Sequence, residues 1–509
     1  MRIRNITFRG GYRFLGFAGQ PRPEVAESPL PERLMVVVGP AGAGPAALQV
    51  ASGAAVAAGQ ILARDDEAVG SAVLSPVDGV VEAVKTAQTA RGESTVVVIR
   101  AERGVRPESP PESPRLSGGI RDWEGLDPAD LEDLLYRLGA TAAAPQGIPT
   151  RFRSSPLRPE EVAHIVVLEA QAEVFNPSPA AILADREPPE PGAGSRPPHQ
   201  GYAEAAAGLA ILKRIMPQAA VHLAFSRSLK DTLCRLGRAC LQAELEAPDL
   251  VAVNPKYPVH HEAVLLPAVL GRELPRGSSA SDQGVVLIDV QGLLQVFDAV
   301  ARGRPLVDRI VALGGSGFVG PVHVRARLGT PVGDIVSDRL RPGTKHRLVL
   351  NGALSGPALL DPSVPVDATF TSVLALPELE EGPLLPFAQP GFRQDSYTRT
   401  FAAMLLPFFK GSDTNLHGER RPCISCGYCE RVCPVRILPY LLHRHIHRGL
   451  IDESLVRFQI FACIDCGLCS YVCTSKIPLA EQIREAKTRL RDEGLEPQAA
   501  AGRNAGGQA

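Results

Sequence analysis

The stretch CISCGYCERVCP, residues 423–434, and its return as CIDCGLCSYVCT, residues 463–474, decide how this chain is read. Cys423, Cys426, Cys429 and Cys433 follow the spacing C-x2-C-x2-C-x3-C, and so do Cys463, Cys466, Cys469 and Cys473. That spacing belongs to proteins that hold two [4Fe–4S] clusters. Three thiolates two residues apart on an extended loop can wrap three corners of a cubane. The fourth, after a longer gap, enters a helix and points away, and in two-cluster ferredoxins it ligates the other cluster. Cys423, Cys426, Cys429 and Cys473 are therefore assigned to one cluster, and Cys463, Cys466, Cys469 and Cys433 to the other. Zinc sites use two C-x2-C pairs separated by a longer loop, which fits a tight run of four poorly. Structural disulfides need an oxidising compartment, and the sequence shows no secretory signal. Gly427 and Gly467 suit loops that curl around a cluster and aim backbone donors at sulfur.

The length of 509 residues predicts about three to five domains. Basic and acidic residues nearly cancel, 54 against 55, so no global basic field draws the chain to nucleic acid. No apolar run reaches the length of a membrane span; the best, Phe401 to Phe409, is far too short.

Residues 1–104 read as short strands and turns, at Met35 to Val38, Ser71 to Leu74, Gly79 to Val84 and Thr95 to Ile99. The phrase Ser75-Pro76-Val77-Asp78-Gly79 is similar to the biotinyl/lipoyl type of barrel–sandwich domain. The hairpin segment Asp65 to Val73 lacks the lysine that a carrier needs, which leaves packing or docking. Gly39 to Gly44 lacks the Gly-Lys-Ser/Thr ending of a phosphate loop. Residues 105–148 give a Pro/Glu/Ser-rich linker (Arg106 to Pro114) and a helix over Pro128 to Leu138 with Asp127 as N-cap. Residues 149–275 alternate strand and helix, the mark of an α/β domain. They include a Pro/Gly-rich loop at Pro188 to Pro198, and Cys234 and Cys240 are read as core. Residues 283–375 read as a β-grasp unit beginning with the strand Gly284 to Asp289 and the helix Gln291 to Ala301. The glycines Gly315, Gly317 and Gly320 precede a strand rather than a helix, so they are turn residues and not a dinucleotide fingerprint. Residues 376–492 form the cluster domain, with a helical spacer over Ile437 to Phe461 that favours an α-helical ferredoxin. His443, His445 and His447 are read as a solvated basic face. The tail, 493–509, is expected to be disordered.

With these motifs in hand, the chain resembles two related families, the C subunit of the Rnf ferredoxin:NAD oxidoreductase complex and the A subunit of the sodium-pumping NADH:quinone reductase. Gly16-Phe17-Ala18-Gly19 with Pro21, Ser396 to Phe401, and Glu430-Arg431-Val432 followed by Ile437-Leu438-Pro439 are similar to the sodium-pump family. The complete set of eight cysteines, and Cys469 to Cys473 followed by Ser475-Lys476-Ile477-Pro478, resemble the Rnf family; Thr474 stands where proline is usual. The resemblance implies a multidomain α+β fold. In order, it would hold a β barrel-sandwich hybrid, an α/β flavoprotein-like domain, a β-grasp (SLBB-like) domain and an α-helical ferredoxin domain. Lys256-Tyr257-Pro258 and Gly271 to Pro275 are similar to the family's flavin and NADH region. Between them this chain has His260-His261-Glu262-Ala263 where the family carries a Gly-Gly-Glu-Lys type of sequence. Losing the glycines and the lysine counts against FMN or NADH binding there.

The expectation is a peripheral electron-transfer subunit, not a catalyst alone, on the cytoplasmic side of the inner membrane. It would pass electrons through two [4Fe–4S] clusters between a soluble carrier, NADH or ferredoxin, and integral membrane subunits of the complex. The alternatives are an NADH-oxidising, FMN-containing subunit and a non-redox scaffold that the clusters hold together.

Overall fold

The computed structural model describes residues 2–14, 16–40, 47–64, 69–102, 122–170, 173–186, 200–275, 277–378, 412–415 and 419–497. The linker at 106–114, the loop at 188–198 and most of the 493–509 tail lie outside those residues.

A five-stranded parallel sheet forms the centre. Its order is Ile3–Ile6, Asp249–Val253, Ala220–Ser226, His164–Glu169, Val285–Ile288. Apart from the edge strand Ile3–Ile6, these strands are short, largely apolar runs, as a sheet covered on both faces requires. Side-chain alternation splits them between two cores. Ile165, Val167, Leu223 and Phe225 pack under the helices Gln200–Ile215, Lys230–Gln242 and Val290–Arg302. Val166, Ala224, Val251 and Val253 face the other way, toward the helix Glu262–Leu270. Ile464, from the second cysteine loop, packs against that second core.

Two sequence assignments shift here. The strand Val285–Ile288 and the helix Val290–Arg302, counted above with the β-grasp unit, complete the parallel sheet and its helical layer. The four-residue run VVLI suits a buried parallel strand, and periodicity alone could not say which sheet it joins. Ile3–Ile6, counted with the barrel–sandwich segment, pairs with Asp249–Val253.

The second sheet is mixed, ordered His346–Leu350, Ser372–Pro377, Asp308–Gly314, Val322–Arg327, Arg22–Glu27. Gly315 lies in a turn at φ +109° that leads into a strand, so these glycines serve a turn. The barrel–sandwich closes Arg33–Pro40, Gly92–Ala101, Gly79–Thr89 and Ala55–Val56 over a smaller three-stranded sheet. Leu34, Val56, Leu62, Val81 and Ile99 fill it. The helix Pro128–Arg137 forms with Asp127 capping the Asp130 amide at 2.9 Å.

The region between the two cysteine runs is broken rather than one long helix. Pro439–His447 ends at Gly449, in the left-handed region at φ +72°, and Glu453–Arg457 follows. Ile437, Leu442, Leu455, Ile483 and Leu490 form the small core shared with the helix Leu479–Asp492. His443 is not on a solvated face: it is buried, and its Nδ1 donates to Gln482 Oε1 at 2.7 Å. Cys240 is fully buried, as read, but Cys234 is only partly covered.

Residues 3–14 and 16–27 form a strap across the molecule. After Ile3–Ile6 joins the parallel sheet, the Gly11 amide donates to Val432 O at 2.8 Å, beside Cys433. Tyr12 and Tyr257 exchange two backbone hydrogen bonds, at 2.9 and 2.8 Å. Gly19 accepts from the Gly315 amide at 2.8 Å, and Arg22–Glu27 then adds the edge strand of the mixed sheet. Gly19 sits at φ +89°, and an added Cβ would overlap the Gly315 carbonyl. Gly19→Ala should therefore cost about 1–3 kcal/mol. Hydrogen exchange checks it: the Gly315 amide should exchange faster, while amides in the barrel–sandwich hairpin keep their protection.

Candidate metal centre

The two cysteine loops share one backbone. Ser425 and Asp465 occupy the same place in each repeat and both have positive φ, +55° and +52°. Gly427 and Gly467 match at +75° and +76°, and Arg436 and Lys476 at +58° and +54°. Each loop enters a short helix, Tyr428–Val432 or Leu468–Tyr471, and the fourth cysteine stands just past it.

That placement crosses the repeats. Cys433 lines a cavity together with Cys463, Cys466 and Cys469, walled by Ile437, Leu468 and Ile483. Cys473, Cys423 and Cys429 gather with Ile477 and Tyr440. Cys426 is exposed, and its sulfur lies 3.7 Å from Thr474 Oγ1. Amides point at sulfur: Ser425 N at Cys423 Sγ and Ile477 N at Cys473 Sγ, both at 3.4 Å. Burial, with neighbouring cysteines adding to it, pushes the thiols of Cys429, Cys463 and Cys466 up to about 12. Cys469 is pushed well up by the same causes, and Cys473 is raised. Sulfurs so covered cannot ionise together unless a positive centre compensates them, which is what iron supplies to a thiolate set. The donor set and its surroundings thus fit iron–sulfur ligation.

The two groups differ in setting. Ile424, in the first loop, is 64% exposed. Its counterpart Ile464 packs on the parallel-sheet domain. Cys466 is tied down further, because its carbonyl accepts from the buried Tyr257 hydroxyl at 2.7 Å. Gly467 lies against Leu354 of the mixed-sheet domain. Tyr12, Phe14, Tyr257 and Tyr471 form a ring cluster at this junction, with centroids 5.2 to 5.6 Å apart. None of these contacts has a motif; the doubled glycine Gly10-Gly11, against the Cys433 and Tyr257 carbonyls, is a local sign of close backbone approach.

The altered loop His260–Ala263 is beside the same junction. His261 caps the helix Glu262–Leu270, its Nδ1 accepting from the Ala263 amide at 3.2 Å. Lys256 Nζ donates to Phe8 O at 2.7 Å and Gly10 O at 2.9 Å. Glu173 is buried, with Oε1 accepting from the Ala353 amide at 2.9 Å. Its Oε2 is enclosed, 3.4 Å from His260 Nε2 and without a hydrogen-bond partner among the described residues. Burial lifts the Glu173 carboxyl to about 8 and lowers His260 to about 4. The close pair is therefore a neutral acid beside a neutral imidazole near pH 7, although part of the His260 ring edge remains exposed.

Two family models match the chain: "RnfC Barrel sandwich hybrid domain" over residues 7–103 and "4Fe-4S dicluster domain" over residues 422–477. The C subunit of the ion-translocating oxidoreductase complex of Pseudomonas aeruginosa is 28% identical over 474 residues, covering 92% of this chain and 54% of that protein. The C subunit of the proton-translocating ferredoxin:NAD(+) oxidoreductase complex of Clostridium ljungdahlii is 25% identical over 479 residues, 92% of this chain and 90% of its own. The chain thus spans about half the length of the Pseudomonas relative. An NAD+-reducing [NiFe]-hydrogenase in its H2-reduced state aligns at TM-score 0.40 and 12% identity, over 74% of this chain and 64% of that one.

The neutral pair makes a testable pH dependence. Between about 4 and 6.5 the folded chain holds His260 unprotonated, so that site adds stability as pH rises. Glu173 acts in the opposite sense up to about 8, because the folded state keeps a proton that the unfolded state loses. Of this pair only Glu173 acts from pH 6.5 to 8, where it should lower stability by on the order of 2 kcal/mol; the buried Glu169, also raised, acts in the same sense. Urea unfolding at fixed pH steps checks this; Glu173→Gln should make that slope shallower by about the Glu173 share.

Proposed function

We propose that this chain, which belongs to the family of Rnf complex C subunits, is a peripheral electron-transfer subunit that carries two [4Fe–4S] clusters. Cys423, Cys426, Cys429 and Cys473 would hold one, and Cys433, Cys463, Cys466 and Cys469 the other. The observation that carries this reading is the crossing of the repeats, which seats Cys433 in a cavity with the three sulfurs of the opposite loop. Bound clusters supply one-electron transfer. The protein's own part is to bury the sulfurs, aim amides at them and hold the second loop against the other domains through Ile464 and Tyr257.

The partners in this reading are the membrane subunits of an ion-translocating oxidoreductase complex and a soluble carrier, NADH or ferredoxin. No helix among the described residues is long and apolar enough to cross a membrane. Attachment at the cytoplasmic face through partner subunits is accordingly part of the proposal. We read the mixed sheet as the SLBB-like β-grasp unit and the parallel sheet as the flavoprotein-like domain. FMN is not assigned to the His260–Ala263 loop. His261 caps the adjacent helix with its own ring, and Lys256 is held by backbone carbonyls of the strap, so neither presents itself to a phosphate.

Anaerobic purification with iron, sulfide and flavin assays tests this. About eight iron per chain without flavin is the expected result. Cys433→Ala should lose about half the iron and give the spectrum of Cys463→Ala rather than that of Cys423→Ala. Zinc in place of iron, or a Cys433→Ala spectrum like that of Cys423→Ala, would overturn the assignment.

A further inference from the structure

The two cysteine groups share a backbone but not a charge environment. Lys487, on the helix Leu479–Asp492, is 5% exposed. Its Nζ donates to Cys463 O at 2.9 Å and to Asp465 Oδ2 at 2.6 Å. The other carboxylate oxygen of Asp465 lies 3.8 Å from Cys463 Sγ. A cation and an anion are therefore fixed against one cysteine loop, the cation almost fully desolvated.

At the matching positions of the first repeat there is no such pair among the described residues, although the Lys476 ammonium acts on Cys473 of that group. Ser425 stands where Asp465 does, and the residue at the same distance past Cys433 as Lys487 is past Cys473 is the exposed His447. The asymmetry has a use that packing does not require. A lysine is costly to bury, and its (CH2)4 stem could have reached solvent. Here it ends on the backbone and flank of a sulfur-bearing loop.

We propose that Lys487 is a positioning residue that, with Asp465, sets the reduction potential of the cluster held by Cys433, Cys463, Cys466 and Cys469 apart from that of its partner. This rests on the two-cluster reading above. Reducing a cluster adds one electron and hence one negative charge. A carboxylate beside Cys463 Sγ opposes that charge, and the Lys487 ammonium favours it. Hydrogen bonding and net charge around the sulfurs are among the levers that move such potentials. The pair thus keeps the cluster of Cys433, Cys463, Cys466 and Cys469, the inner cluster, easier to reduce than Asp465 alone would allow, while the other, the outer cluster, has Ser425 in place of Asp465 and Lys476 near its Cys473.

The test is a redox titration of the full chain with dithionite as electron donor, followed by electron paramagnetic resonance. The Cys433→Ala chain, which keeps one cluster, shows which midpoint belongs to which site. Lys487→Met should lower the reduced-to-oxidised ratio of the inner cluster about tenfold at fixed potential, about 59 mV for a one-electron couple. Asp465→Asn should raise it, Lys487→Arg should stay within about threefold of the parent, and the double variant Lys487→Met with Asp465→Asn should return toward the parent. The outer midpoint should stay fixed throughout. If Lys487→Met takes up no iron, Asp465→Asn and Lys487→Arg still decide the matter. Full iron content with an unchanged inner midpoint, or equal movement of both midpoints, overturns the proposal and leaves the two-cluster reading standing. A parent chain without iron overturns both.

Discussion

Cysteine sulfurs gathered beneath hydrophobic cover are the constraint around which the cluster domain is arranged. Most of these thiols are pushed up by burial, so a centre that draws thiolates is needed before they can act as ligands together. Each feature nearby follows from that need. Positive-φ residues recur at matched places so that amides turn inward, and the fourth cysteine of each run crosses to its neighbour. The small core of Ile437, Leu442, Leu455, Ile483 and Leu490 is modest for a domain of this length. Metal ligation adding to the folding free energy is the usual remedy for a small core.

The sequence was most readable where chemistry fixes spacing. The cysteine runs, the strand-rich barrel–sandwich segment and the Asp127-capped helix could all be found locally, because each is decided by residues within a turn or two. Membership of a sheet could not. Val285–Ile288 is a good buried strand in either neighbouring domain, and only its parallel register with His164–Glu169 assigns it. His443 misled for a related reason. A histidine among arginines on a helix looks solvated until a second helix brings Gln482 to it. Lys487 and Tyr257 carry no motif; their meaning comes from partners remote in sequence, at Cys463 and Cys466.

The junction around Tyr257 joins three domains through few polar contacts. The phenol binds a carbonyl of the second cysteine loop, and Ala353, from the mixed-sheet domain, binds Glu173. Aromatic rings from the strap fill the space between. A neutral carboxylic acid and a neutral imidazole in such a place avoid the large desolvation cost of burying charge. They also leave the Lys487–Asp465 ion pair as a charged feature built directly onto the second cysteine loop.

The strap has a consequence for biosynthesis. Ile3–Ile6 leaves the ribosome well before its partner Asp249–Val253 exists, and Arg22–Glu27 waits longer still for Val322–Arg327. Until then both are unpaired strands on a growing nascent chain, the kind of segment that invites wrong pairing and chaperone attention. The parallel sheet is complete only once Val285–Ile288 has been made. The loop next to Cys433 gains its backbone bond from Gly11 later again. Closure around the metal-binding region thus waits for the far end of the fold, and residues synthesised early are among the last to settle.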